Sequence, residues 1–151
     1  MILVPLLILQ IFLLPYATSL IMSSWSTSSE TLALQEACSR VGSSIQQLYF
    51  FMNHASIPSG NVTSSMNIPM FINNYAYTGN ATLTSVISGS SSSKVLKLTL
   101  KFMGNSIFVT SPVTLGQNVQ WQSSSFMSNS TTACIQAYKD SSNVIWLSFG
   151  A

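Results

Sequence analysis

The chain has 151 residues, of which 47% are hydrophobic and 5% charged, and its formal net charge at pH 7 is +2. Charged residues make up about 25% of ordinary domains, so this chain lacks the basic patch that nucleic-acid binding requires, and we expect no nucleic-acid partner. Ser and Thr together supply 41 residues, which makes hydroxyl and amide groups the main polar surface.

Three carboxylate side chains occur in the sequence: Glu30, Glu36 and Asp140. Acid unfolding acts mainly through carboxylates, so the stability of the folded chain should change little at low pH. One interpretation is a protein that works at hostile pH, and another is a surface made soluble by sugar. The two interpretations are compatible.

The N-terminal segment, MILVPLLILQIFLLPYATSLIM (residues 1–22), is almost continuously apolar and has no charge. A helix of this length spans about 33 Å, which is enough to cross the hydrocarbon core of a bilayer. The segment lacks the basic start of a secretory signal peptide. Pro5 suits a first helical turn, whereas Pro15 lies inside the segment and should kink or locally open the helix.

A second helical pattern covers residues 30–53. Apolar residues recur there every three or four positions, which indicates one stripe of an amphipathic helix: Leu34, Cys38, Val41, Ile45, Leu48 and Met52. We predict that residues 1–53 form one long helix, or two helices broken near residues 23–29. The amphipathic part should pack on the domain that follows.

Residues 61–151 have the pattern of an outer β-domain. KVLKLTLKF (residues 94–102) alternates apolar and polar side chains, as a half-buried strand does. Other stretches rich in β-branched and aromatic residues are predicted strands: residues 67–77, 81–88, 106–110, 118–122, 132–138 and 143–149. Turn chemistry separates them: residues 78–80, Gly89, and residues 104–105, 111–112 and 140–143. About seven strands indicate an antiparallel sandwich or partial barrel, so the predicted fold class is α+β.

Groups that could support catalysis are scarce. One histidine, three carboxylates and two distant cysteines do not make a triad, a carboxylate pair or a metal cage, so we expect neither an enzyme nor a metal or other cofactor. His54 follows the predicted helix end, where a cation would favour the helix dipole. Cys38 and Cys134 have two interpretations. They form an extracellular disulfide, worth about 4 to 5 kcal/mol in the chain-entropy model, or they are two buried free thiols.

Three N-x-[ST] sequons occur, at Asn61, Asn80 and Asn129, and none has Pro in the middle position. Each falls in or beside a predicted turn, where a glycan could be carried. Such sequons also arise by chance in a chain rich in Ser and Thr. The asparagines are therefore candidate N-glycosylation sites, with ordinary polar turns as the alternative.

An apolar N-terminal helix, a helical neck and a Ser/Thr-rich β-domain with sequons together resemble the archaeal type IV pilins. The order of the β-domain adds to the likeness. MNIPMFINNYAY is similar to the Pro-containing strand with an aromatic end that opens many such domains, and VLKLTLKF, SIFVTSPV, NVQWQ and VIWLSF follow in the same succession. Bacterial type IV pilins carry an acidic residue near the mature N-terminus, whereas here no acid precedes Glu30.

The resemblance implies a major structural subunit of an extracellular, cell-surface pilus for adhesion or cell–cell contact, with an Ig-like sandwich outside. A prepilin peptidase would leave Met1 as the new N-terminus, and residues 1–22 would hold the subunit in the membrane before assembly. The pilus assembly machinery would then polymerise it with copies of itself. The filament core would contain apolar helix side chains: Leu3, Leu6, Leu7, Ile11, Leu13, Leu14 and Leu20.

Three alternatives remain open at the level of the sequence. Archaellins, the subunits of archaeal motility filaments, are similar too, but their helices are usually richer in Gly and Ala. A single-span membrane-anchored glycoprotein with an Ig-like binding domain would also begin with an apolar helix, although such an anchor usually has basic flanking residues. A minor pilin or a sugar-binding assembly subunit is the third alternative.

Overall fold

The computed structural model describes residues 3–88 and 91–150, with side chains from residue 9 onward except those of residues 88 and 91. One long helix precedes eight strands, and this order confirms the α+β class. The elements are α1 (Leu3–Met52), β1 (Gly60–Ser65), β2 (Tyr77–Ser88), β3 (Ser91–Phe102), β4 (Phe108–Leu115), β5 (Val119–Trp121), β6 (Ser125–Met127), β7 (Cys134–Lys139) and β8 (Ile145–Gly150).

Helix α1 is continuous over 50 residues, or about 75 Å. The alternative of two helices broken near residues 23–29 is wrong, and the helix also passes Pro15 without ending. Hydroxyl groups in this region bond to the helix itself rather than competing with it. The Thr27 hydroxyl donates to the Ser23 carbonyl at 3.0 Å, and the Thr18 hydroxyl donates to the Leu14 carbonyl at 2.7 Å.

The predicted apolar stripe of the second half of α1 is confirmed. All six of its residues are at most 6% exposed. Burial of each large apolar side chain is worth about 1.5 to 3 kcal/mol. This stripe therefore supplies the main attachment between the helix and the β-domain. It belongs to one hydrophobic core that also includes residues of both sheets.

The strands form two four-stranded sheets. In the first sheet the order is β1-β7-β8-β5, and every pair is antiparallel except β5 with β8. In the second sheet the order is β4-β3-β2-β6, and every pair is antiparallel. Leu96, Leu98 and Leu100 of β3 are fully buried, as the alternation of this strand predicts.

Aromatic contacts join the two sheets on the side away from the helix. The ring centroid of Phe149 in the first sheet lies 4.8 Å from that of Phe126 in the second sheet. It lies 5.0 Å from the ring centroid of Trp121, which belongs to the first sheet. On the other side, α1 contacts β4 and β3 of the second sheet and β7 of the first. The helix therefore fills the open side of the core between the sheets.

The strand predicted at residues 67–77 is wrong. Strand β2 begins only at Tyr77, and the preceding segment makes a single bridge between Ile72 and Tyr75. Asn73 and Asn74 between them have φ values of 48° and 66°, a left-handed conformation that Asn tolerates. Two such residues reverse the chain in a tight turn, so residues 67–77 cannot form one extended strand.

The turns predicted at residues 78–80 and 111–112 are also wrong, because both lie inside strands. Gly79 is in β2, where the side chains of Phe126 and Leu100 come so close that only glycine fits. Pro112 lies in β4, an edge strand, where a missing backbone N–H is tolerated. Strands β1 and β6 were not predicted. Gly89 lies outside the described residues.

A pair of glycine substitutions tests this packing. In Gly79→Ala the added Cβ would lie 2.2 Å from a ring carbon of Phe126 and 2.7 Å from Leu100, so the core must shift. We expect a loss of about 1 to 3 kcal/mol in the free energy of unfolding, measured by denaturant titration. Gly60→Ala is the matched control, since nothing lies within 4 Å of its added Cβ. An equal effect of both substitutions would contradict this account of Gly79.

Candidate assembly surface

Residues 9–22 of α1 present apolar side chains in every direction around the helix axis. All side chains of residues 9–29 are exposed, and we name this segment the free half of α1. Residues 30–52, the seated half, include the buried stripe. Four of the predicted filament-core residues lie in the free half and are 51 to 65% exposed: Ile11, Leu13, Leu14 and Leu20. Leu3, Leu6 and Leu7 have side chains outside the described residues.

The structure adds residues that the sequence analysis did not select for this surface. Phe12 and Met22 are each 73% exposed, and Trp25 is 78% exposed. The predicted filament-core residues were all Leu or Ile, so Phe12 and Met22 were not among them. Trp25 lies in the Ser/Thr-rich stretch at residues 23–29, where a break in the helix was one of the predicted alternatives. The continuous helix places Trp25 beyond the apolar segment, as a single exposed aromatic side chain among Ser and Thr residues.

This surface needs cover from more than one direction. Apolar side chains occur all around the helix axis, so a single partner helix would cover only one stripe of it. No charged residue occurs between residues 9 and 29. Packing this segment against copies of itself would therefore bury no charge. The arrangement suits a helix surrounded by several other helices.

The membrane span expected at residues 1–22 lies partly outside the described residues, since side chains are described only from residue 9 onward. Within the part of the chain that the structure describes, no helix is both long enough and apolar enough to cross a membrane.

The C-terminal end of α1 is held by a buried lysine. Lys139 of β7 is 3% exposed, and its Nζ donates to the carbonyl of Ile57 at 2.7 Å and to that of His54 at 3.4 Å. The positive charge lies at the negative end of the helix dipole, which stabilises it. His54 itself is exposed, with Nδ1 at 2.7 Å from the Ser56 hydroxyl oxygen.

An amide network fixes the same end of α1 to the loop between β4 and β5. The Tyr49 hydroxyl donates to the side-chain oxygen of Asn118 at 2.8 Å, and the Asn118 amide donates to Asn53 at 2.8 Å. Burial raises the pKa of Tyr49, and the backbone of Gly116 partly offsets this shift. Together with Lys139, these bonds prevent the β-domain from turning about the helix.

The two cysteines are free in the structure, so the predicted disulfide is not formed. The Cys38 sulfur faces β3, 3.9 Å from the Leu98 carbonyl, whereas the Cys134 sulfur lies 3.9 Å from the Gln136 amide nitrogen. Cys38 is fully buried and Cys134 partly buried. Among the described residues, no three His, Cys, Asp or Glu side chains could hold a metal ion.

The three sequon asparagines are all exposed. Two of them lie within strands rather than in turns: Asn61 is in β1, and Asn80 is in β2 between Thr99 of β3 and Ser125 of β6. In both sequons the hydroxyl residue two positions later is exposed as well. Asn129 lies in a turn after β6. All three positions leave room for a glycan.

No protein-family model matches the chain, and neither does any curated protein or any solved structure.

The sequons predict a measurable difference in mass. For protein isolated from the cells that make it, we expect intact mass spectrometry to give a mass that exceeds the sequence mass by at least one glycan. Each occupied site should lose one glycan mass in the corresponding Asn61→Gln, Asn80→Gln or Asn129→Gln variant. Asn105→Gln, outside any sequon, is the control and should leave the glycan mass unchanged. A wild-type mass equal to the sequence mass would contradict glycosylation.

Two buried acids predict a loss of stability at alkaline pH. Burial raises the pKa of Cys38 from 9.0 to about 11 and that of Tyr77 from 10.0 to about 12. The unfolded chain therefore releases these protons at lower pH than the folded chain does. Their contribution is complete below pH 9 and should fall between pH 9 and 12 by about 2 kcal/mol per group at most.

Denaturant unfolding at several pH values measures this loss. Tyr77→Phe should lose less stability between pH 10 and 12 than the wild type, although it also removes the hydrogen bond from the Tyr77 hydroxyl to the Pro69 carbonyl. A free energy of unfolding that is the same at pH 8 and pH 11.5 would contradict the shifts.

Proposed function

We propose that this chain is the major structural subunit of an extracellular helical filament of the archaeal type IV pilus kind. The observation that carries the proposal is the division of α1 into two halves. The seated half buries one stripe in the β-domain, whereas the free half is exposed throughout and carries apolar side chains in every direction over residues 9–22. Copies of the same helix are a partner that can surround this surface on all sides.

In the filament, the free halves of α1 form a core and the β-domains form the outer shell. The exclusion of apolar surface from water drives this association. The β-domain, which we propose to be an Ig-like sandwich, gives the shell a surface of hydroxyls, amides and the three candidate glycan sites. We assign the subunit a structural role without catalysis or cofactor.

The outer shell is where the filament would meet its surroundings, so we propose surface adhesion or cell–cell contact as its use. The Leu- and Ile-rich helix favours an adhesive pilus over a motility filament of the archaellin kind. Processing by a prepilin peptidase and assembly by the pilus machinery belong to the same proposal, as do its extracellular place and its self-association.

Electron cryomicroscopy of filaments sheared from the producing cells tests the proposal directly. The expected result is a helical reconstruction in which residues 9–29 pack around the axis and the β-domains lie outside. If the chain remains with the cells as a monomer after shearing, the proposal is wrong.

A charge in the free half of α1 should prevent assembly. In Leu14→Asp a carboxylate replaces a side chain that is 65% exposed in the monomer and buried in the proposed core. Burying an unpaired carboxylate costs several kcal/mol, so we expect the yield of sheared filaments to fall at least tenfold. Filament mass after shearing and centrifugation measures the effect.

Gln47→Asp is the control, because Gln47 is an exposed residue of the seated half of the same helix. It should leave the filament yield within about twofold of the wild type. Thermal unfolding of the β-domain should be the same in both variants. Filaments of Leu14→Asp at the wild-type yield would exclude the free half of α1 as the filament core.

A further inference from the structure

The strand directions define two ends of the β-domain, and some of its exposed apolar residues lie at each of them. Strand β2 begins at Tyr77 and ends at Ser88, and β3 returns antiparallel beside it. Near the start of β2, the Asn73 amide donates to the Glu30 carboxylate at 3.5 Å. Glu30 is the first residue after the free half of α1. The end of the domain that includes Tyr77 is therefore the end from which the free half projects, and we name it the exit end.

Six large apolar side chains are exposed at the exit end, of which Phe108 of β4 stands apart because it pairs with Lys101. The other five are 43 to 54% exposed, and they come from the segment before β2, the turn after β3 and the last residue of β6. We name them the exit-end cluster: Met70, Phe71, Tyr75, Met103 and Met127. None of them is required by the core, which is complete beneath them. Exposed apolar groups of this size commonly mark a binding surface.

The exit-end cluster is held in place by hydrogen bonds. The buried Ser128 hydroxyl donates to the Met70 carbonyl at 2.7 Å, and the Met103 N–H donates to the Ala76 carbonyl at 2.8 Å. The Tyr75 ring packs edge-on against Phe102 at 6.1 Å. The backbone beneath the cluster is thus fixed, while its three methionines can adapt their shape to a partner.

The opposite end of the domain carries an apolar projection. Strand β4 ends at Leu115, which pairs with Lys94, so β2 and β3 continue as a two-stranded hairpin beyond the sheet. On this hairpin Ile87 is 79% exposed and Val86 is 44% exposed. We name these two residues the hairpin tip. Apart from them, the described side chains beyond Lys94 are serines.

We propose that the exit-end cluster of one copy binds the hairpin tip of a second copy, as an additional contact between β-domains of the filament. The two surfaces differ and lie at opposite ends of one domain, so the contact is head-to-tail and repeats without closing, as a filament requires. The inference rests on the proposed filament function. The proposed contact would link the β-domains of successive copies along the filament.

The chemistry of the two surfaces supports a second copy as the partner. Neither the cluster nor the tip contains a charged side chain of its own, so contact between these residues joins apolar surface to apolar surface. The cluster also lies beside the point where the free half of α1 emerges. A copy that packs against that helix is therefore already adjacent to the cluster, which raises the effective concentration of its hairpin tip.

Disulfide trapping in assembled filaments tests the contact. The variant is the full chain with Phe71→Cys and Ile87→Cys, in a Cys134→Ser background; Cys38 remains buried. The twelve residues of β2 extend about 40 Å and separate the two new cysteines, so no disulfide can join them within one copy. Oxidation of sheared filaments, followed by non-reducing electrophoresis, reveals any link between copies.

The expected result is a ladder of trimers and longer multimers from the double variant, with no product beyond a dimer from either single variant. The matched control is Tyr138→Cys with Ile87→Cys, since Tyr138 is 51% exposed but lies on β7. It should give no ladder. Filaments of the double variant without a ladder would overturn this inference and leave the filament proposal intact. A wild-type chain that forms no filaments would overturn both.

Discussion

The packing of the seated half of α1 between the two sheets is the contact on which the rest of the molecule depends. The sheets meet each other through Phe126 and Phe149 on one side, and on the other side the helix stripe takes the place of a further layer. Without the helix, the inward faces of β3, β4 and β7 would be open to water. The β-domain and the helix are therefore one cooperative unit, although half of the helix projects from it.

This unit explains how a chain with so few charges keeps its parts in a fixed orientation. The described residues contain one ion pair, Glu36 with Arg40, which is exposed and lies within the helix, so it contributes little. Orientation comes instead from the two carbonyl groups that bind Lys139 and from the amides around Asn118. Lys139 uses its charge where it bonds to backbone carbonyl oxygens just beyond the end of α1.

Much of the helix could be predicted from the sequence, because its signals are local. The spacing from Leu34 to Met52 has the period of a helix, and burial follows that period. The predictions of strands and turns were wrong where tertiary contacts outweigh the local preference of the sequence. Thr78, Gly79 and Asn80 have the composition of a turn, yet they lie in β2. Glycine is required at position 79 because the Phe126 ring occupies the place of a Cβ there. Strand β1, GNVTSS, has almost no apolar residues, so no alternation marked it as a strand.

The candidate surfaces were predictable to different degrees for the same reason. Ile11 and Leu14 lie in one continuous apolar run, so the sequence alone indicates a surface there. Met70, Met103 and Met127 are far apart in the chain, and only the pairing of β2 with β3 and β6 brings them to one end of the domain. No pattern within a single segment could have indicated that cluster.

The proline inside the continuous helix has a mechanical consequence. Pro15 has no N–H group, so the carbonyl of Ile11 lacks its usual partner one turn later, and the helix has a missing bond within the free half. In the proposed filament, an axial load would pass through this helix to its seated half, where the buried stripe spreads the load over several turns. We expect α1 under tension to lengthen first at Pro15, where one helix hydrogen bond is missing. The free half of the helix would then be the most extensible part of the proposed filament.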